Sequence, residues 1–293
     1  MNDVPALFFE GVVSLFFFKE ELSCSSALSG LPGHVASYAY AKSCCHCMGL
    51  TNGRLEKEIY LNWEDKPVDL ETPSRKHIHY MQISILAGEE EYNNDPEAIE
   101  RVLSATKAKH VLLSLQTSDI SEEIAKCVES IQYVFALKVE TKITSEVLKM
   151  MRSLVSKKTL NTMSIAKDAE IKDETTQLLV ELLKQNQFHQ LFLYGMCFGA
   201  LQKIIASWRE NSEEMIGKMI CCREEISELQ LPSTEFPFQE CTEDEERKAE
   251  RAYPFAGFWS KITTKSVLRN QNGSAVYCFS GSFFEFKSRF IFA

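Results

Sequence analysis

The feature that most constrains this chain is an apolar phrase, hydrophobic at its first, fourth and sixth positions, that returns six times between residues 77 and 230. It reads Tyr80-x-x-Ile83-x-Ile85, His110-x-x-Leu113-x-Leu115, Val134-x-x-Leu137-x-Val139, Leu160-x-x-Met163-x-Ile165, Phe188-x-x-Leu191-x-Leu193 and Ile216-x-x-Met219-x-Cys221. Only His110 breaks the pattern. The fourth positions fall 24 to 30 residues apart, room for one strand and one helix per unit. Between the phrases, Val147, Met150, Met151, Leu154 and Val155, then Leu179, Leu182 and Leu183, then Leu201, Ile204, Ile205 and Trp208 recur at helical spacing. Asp119 with Glu122, Thr144-Ser145-Glu146 and Asp173-Glu174 offer helix starts, where side-chain oxygens accept orphan N–H groups and acidic charge suits the dipole. Strands alternating with helices across short connections predict an α/β fold: an irregular leucine-rich-repeat-like solenoid, with a parallel sheet and helices on one side. The column where such repeats usually carry Asn or Cys reads Gly88, Ser118, Lys142, Asp168, Met196 and Glu224, so that ladder is missing.

The texture changes on both flanks. Residues 1 to about 50 are apolar and helical in pattern, and Thr51-Asn52-Gly53 and the span from Lys66-Pro67 to Thr72-Pro73 mark turns and a connector. After the repeats comes a linker-like stretch with Pro232, Pro237 and the acidic run Glu243-Asp244-Glu245-Glu246. Ser274–Phe279 and Phe283–Phe292 then read as a terminal β-hairpin around a turn containing Gly281. The expected organisation is therefore an N-terminal helical capping segment with its connector over 1–75, a repeat-like α/β domain over 76–230, and an acidic linker with a C-terminal β-hairpin cap over 231–293.

The apolar run Leu7–Phe18 makes a poor secretory signal. Asp3 precedes it, Glu10 interrupts it and Lys19-Glu20-Glu21 follows with no small-residue cleavage site. Its twelve residues also fall short of the roughly 20 that cross a bilayer. A buried amphipathic helix is the expectation, and no membrane partner. Lys and Arg number 32 against 41 Asp and Glu, a net charge of −9, which repels a phosphate backbone, so nucleic acid is not an expected partner either.

Ten cysteines in 293 residues are far below disulfide-scaffold density. Cys127, Cys197, Cys221 and Cys278 sit in apolar patterns and read as small buried hydrophobes of a reducing compartment, cytoplasmic or nuclear. The sequon Asn272-Gly273-Ser274 occupies a turn-like site and, without a secretory context, has no use. Cys44-Cys45-His46-Cys47 is the one chemical cluster: Cys44 and Cys47 make a C-x-x-C that could serve as half a zinc site or a redox pair. Zinc needs two further ligands, and Cys221-Cys222 cannot supply both from one strand, where neighbours point to opposite faces. Structural thiols are the expectation. His77-x-His79 opens an apolar strand phrase, and the acidic run at 243–246 lacks calcium-loop spacing. Phosphate-binding, dinucleotide, zincin and hydrolase-elbow motifs are all missing from the sequence. The reading is thus of a non-enzymatic protein with no cofactor, metal or catalytic residue. If positions 4 and 6 point inward, the fifth column, Ser84, Ser114, Lys138, Ser164, Phe192 and Ile220, lines the open sheet face. Phe192, Tyr194 and Ile220 then form an apolar patch, either for a partner protein or for the terminal hairpin to cover.

A resemblance adds to this. Val4-Pro5-Ala6-Leu7-Phe8-Phe9-Glu10, Leu178-Leu179-Val180-Glu181-Leu182-Leu183 followed by Phe188-His189-Gln190-Leu191-Phe192-Leu193, Trp208-Arg209-Glu210-Asn211-Ser212 and Val276-Tyr277-Cys278-Phe279 together resemble a nematode-expanded family of F-box and F-box-associated proteins. The likeness spans nearly the whole chain. It implies an N-terminal segment that docks onto the Skp-type adaptor of a cullin ubiquitin ligase, with Val4, Pro5, Leu7, Phe8, Val12, Val13 and Leu15 as docking residues, and a repeat-like domain that binds targets. Val4-Pro5 stands where an F-box has Leu-Pro, the middle is shorter, and no clear Trp closes the segment. The same exposed Phe and Leu could instead pack against the repeat domain, giving an interaction protein with no ligase link.

Overall fold

The computed structural model describes residues 25–51, 53–62, 64–68, 78–88, 96–106, 110–195, 197–223, 238–252, 262–270, 272–283 and 286–293. These residues form α1 (Gly30–Lys42), β1 (Cys44–Thr51), β2 (Arg54–Asn62), β3 (Ile78–Leu86), α2 (Pro96–Thr106), β4 (His110–Leu115), α3 (Glu122–Ser130), β5 (Val134–Val139), α4 (Ser145–Ser156), β6 (Thr162–Ile165), α5 (Asp173–Leu183), β7 (Gln190–Leu193), α6 (Phe198–Glu210), β8 (Met219–Cys222), β9 (Gln239–Glu240), α7 (Glu243–Ala252), β10 (Ile262–Arg269), β11 (Ala275–Phe283) and β12 (Phe286–Phe292). The fold is α/β. Two compact units are present: the described residues up to Ser114 with Ser121–Val134, and Leu115–Ile120 with Phe135–Ala293. Among the described residues no helix is long and apolar enough to cross a membrane.

In the first unit the strand order is β2-β1-β3-β4. The helical pattern expected up to residue 50 stops at Lys42. Beyond it, β1 runs antiparallel to β2 and parallel to β3. A two-residue connection ending in Gly53, at φ 81°, joins Thr51 to Arg54 and suits the hairpin twist. The physical reason for the difference is that β1 is buried along nearly its whole length, so it shows no period-2 alternation that could compete with a helical reading. On α1, Gly33 and Ala36 are the buried residues, and a Cβ on Gly33 would lie 1.7 Å from the Leu28 carbonyl oxygen. The Ser121 hydroxyl caps α3 by accepting from the Ile124 N–H, rather than Asp119, and buries Ile124, Cys127 and Val128.

In the second unit the order is β5-β6-β7-β8-β12-β11-β10-β9. Strands β5 to β8 are parallel, and the C-terminal strands are antiparallel to their neighbours. Leu137, Met163 and Leu191 pair across β5, β6 and β7, as do Val139, Ile165 and Leu193, and all six are buried. The repeated phrase therefore does set the register over these three strands. Helices α4, α5 and α6 lie side by side. Helix α6 seats the fully buried Trp208 edge-on to Phe292. Burying each such side chain contributes about 1.5–3 kcal/mol.

The sixth phrase is one residue out. Ile220 pairs with Leu191 and Cys221 with Phe192, so Ile220 and Cys222, not Met219 and Cys221, continue the inner columns. All four residues of β8 are buried, so its composition carries no alternation to reveal the slip. Successive strands and helices are tied by side chains outside the column Gly88, Ser118, Lys142, Asp168, Met196 and Glu224. Lys218, 3% exposed, reaches back with Nζ to the carbonyls of Gln185 at 2.8 Å, Asn186 at 3.3 Å and Phe188 at 2.7 Å, beyond the C-terminus of α5. The Gln185 amide donates to the Val155 carbonyl, Asn161 to that of Gln187, and Thr144 to that of Ser118.

The stretch read as an acidic linker holds α7. Thr242 and Glu245 form a capping box: the Glu245 carboxylate accepts from the Thr242 N–H at 2.9 Å, and the Thr242 hydroxyl accepts from the Glu245 N–H. Arg269 on β10 clasps the same carboxylate with two nitrogens, each 2.8 Å away. Strands β11 and β12 are antiparallel, with Gly281 inside β11 instead of in a turn, and β12 pairs with β8. The sequon does lie in a turn, where Gly273 has φ 89° and Asn272 donates to the Ser212 hydroxyl.

Candidate functional site

Of the sequence-derived partner-binding residues, Val4, Pro5, Leu7, Phe8, Val12 and Leu15 lie outside the described residues, as does the Leu7–Phe18 run. His77 and the side chain of His79 do too. Phe192, Tyr194 and Ile220 do not make one exposed patch. Ile220 is fully buried on the inner face. Phe192 and Tyr194 are half-buried against Phe286, with ring centroids 5.3 and 4.7 Å away, in a cluster with Met219, Cys221, Tyr277 and Ile291. The chain's own C-terminal strands supply the cover, because Phe286 sits where a partner's aromatic would.

Among the described residues, the exposed large apolar side chains are Tyr133 and Ile216, each alone, and a group on and just before α1. Its small residues Gly33 and Ala36 face inward, which leaves Leu31, His34 and Tyr38, spaced i, i+3 and i+7, on the outer side. Leu31 is 42% exposed, Tyr38 55%, and Leu28, just before the helix, 58%.

Strand β1 carries the chemistry, on two faces. On one, His46 is buried, stacks on Tyr60 with centroids 4.5 Å apart and meets Glu58 with Nε2 2.9 Å from Oε1. Arg101, from α2, pairs with the other Glu58 oxygen at 2.5 Å. On the other face, Cys45 and Cys47 bring their sulfurs to 3.5 Å. The relevant pairing is thus C-x-C, not the C-x-x-C of Cys44 and Cys47, because residues two apart on a strand share a face and residues three apart do not. Tyr80 pairs with Cys45 across β3 and hydrogen-bonds its sulfur. The hydrogen bond with Cys47, together with burial, drives the Cys45 thiol far above the ordinary range. The same bond holds the Cys47 thiol below its ordinary range, helped by the Lys57 charge and opposed by burial and Asp65. Burial, with Cys45 alongside, pushes the Tyr80 hydroxyl up.

The four cysteines read from the sequence as buried hydrophobes, Cys127, Cys197, Cys221 and Cys278, are buried, and burial pushes Cys127 up to about 11 and Cys221 up to about 12. Among the described residues no three His, Cys, Asp or Glu side chains gather as a metal centre needs. No protein-family model matches this chain, and no curated protein matches it in sequence.

Proposed function

We propose that this chain is a non-enzymatic protein–protein interaction protein, a substrate-recruiting F-box-like subunit of a cullin ubiquitin ligase working in the cytoplasm or nucleus. The observation that supports it is the outer face of α1, where Leu31 is 42% exposed, with Leu28, 58% exposed, just before the helix. Exposed apolar area costs about 25 cal/mol per Å², and a partner that covers it recovers that free energy. The resemblance in the N-terminal segment supplies the class of partner, a Skp-type adaptor. The alternating β/α units, read as leucine-rich-repeat-like, then carry the target-binding surface.

The test is a pull-down of the tagged full-length chain from cytosolic extract, blotted for the Skp-type adaptor, beside a Leu31→Asp/Tyr38→Asp variant. Both positions are exposed, so the variant keeps its circular dichroism and Tm. The wild type is expected to recover adaptor and the variant to lose at least tenfold. No adaptor with the wild type sinks the ligase assignment, and equal recovery by the variant sinks the role of α1.

A further inference from the structure

We propose that Cys45 and Cys47 form a redox-active dithiol that closes to a disulfide by exchange with a low-molecular-weight disulfide of the glutathione class. Three observations point there. The two sulfurs lie 3.5 Å apart on one face of β1, so a bond of about 2.05 Å requires a small closure. The pair is asymmetric: Cys47 is half-buried and reachable, whereas Cys45 is 5% exposed behind it. The groups facing the pair are Lys57, which favours a thiolate at Cys47, Asp65, which opposes it, and Tyr80, which hydrogen-bonds Cys45. Cys44 and His46 occupy the opposite face.

This arrangement assigns the roles. The Cys47 thiolate, its proton already given to solvent, attacks one sulfur of glutathione disulfide; that S–S bond breaks and a glutathione thiolate leaves. Cys45 passes its proton to the departing thiolate, and the Cys45 sulfur attacks Cys47 Sγ. The mixed disulfide breaks, and the second glutathione leaves as a thiolate that takes a proton from solvent. The two protein sulfurs are oxidised to one disulfide and glutathione disulfide is reduced to two thiols. Residues two apart on a strand stand about 6.6 Å apart at Cα, at the upper end of what a disulfide spans, so the product is strained and readily reduced.

The experiment is mass spectrometry of the full chain equilibrated in glutathione redox buffers, quenched by alkylation and digested with trypsin. At oxidising ratios the peptide Ser43–Arg54 is expected, reversibly, with a Cys45–Cys47 disulfide in place of two alkylated thiols, in wild type and in Cys44→Ser. Cys45→Ser is expected to stop at one glutathione adduct on Cys47, and Cys47→Ser to form neither product. Cys197 and Cys222, also 3.5 Å apart but 1% and 0% exposed, are expected to stay reduced. A peptide that never closes, closure that survives Cys45→Ser, or oxidation confined to Cys197 and Cys222 overturns the proposal.

Discussion

The two units tie their polar side chains differently. Around β1, side chains satisfy side chains: His46 meets Glu58, Glu58 meets Arg101, and Cys45 meets Cys47 and Tyr80. Between successive strands and helices of the second unit they satisfy backbone: Lys218, Gln185, Asn161 and Thr144 all end on carbonyl oxygens of the preceding segment or the one that follows. A carbonyl has one chemical state, so those contacts only hold the stack together. A thiol has two, so the contact between Cys45 and Cys47 can change with oxidation.

Breaking the backbone-directed network is expected to have the largest effect. Lys218→Met leaves the carbonyls of Gln185, Asn186 and Phe188 without their donor and should lower stability by about 3 kcal/mol in urea unfolding. A loss below about 1 kcal/mol would mean that water replaces the ammonium. Next comes Gly195→Ala, whose added Cβ would lie 2.8 Å from the Lys167 carbonyl oxygen and 3.2 Å from its Cα. Those are backbone atoms of the adjacent turn, and moving them should cost about 2 kcal/mol, read from the same transition.

Glu245→Gln should cost about 1 kcal/mol through the weakened cap of α7. The Thr242 N–H, and with it Arg269, holds the Glu245 carboxyl below the ordinary glutamate range. A depressed carboxyl stabilises the fold above its unfolded value, about pH 4.3, and loses that contribution as pH falls through its folded value. The gap between wild type and variant should therefore be full at pH 7 and shrink on acidification below about pH 4.3; a gap constant with pH would remove the charge from the account. The smallest stability effect belongs to the first unit. Arg101, 63% exposed, pairs with Glu58 at the surface, and Arg101→Ala should change stability by less than about 0.5 kcal/mol.

Thiol alkylation sharpens the contrast from the other side. Cys47 should react with iodoacetamide near neutral pH at least tenfold faster than Cys127, whose thiol burial pushes up to about 11. Equal rates would make the β1 thiols as inert as the core ones.

The parallel strands and their helices were legible in sequence where one face differs from the other. Leu137, Met163 and Leu191 alternate with Lys138, Ser164 and Phe192, and the structure pairs both columns. The signal failed where both faces are buried. The helical pattern runs on into β1, and the repeated phrase falls one residue off at β8, because apolar residues in succession fit any period. Helix α7 was passed over as a charged linker although Thr242 and Glu245 spell a capping box. The cluster at Cys44 to Cys47 was visible as composition, but its pairing was not: Cys45 with Cys47 follows only once the segment is known to be a strand.

By itself, the sequence determined what is local and periodic: the α/β class, the register over β5 to β7, the buried nature of the scattered cysteines, and the turn at Asn272-Gly273. Tertiary structure alone decided that Phe286 covers Phe192 and Tyr194, that Lys218 closes the end of α5, and that α1 turns Leu31 and Tyr38 outward. Each of these joins residues about 30 or more apart in the chain or depends on what an element packs against, and hydrophobicity along a chain reports how much a residue favours burial, not which neighbour will bury it.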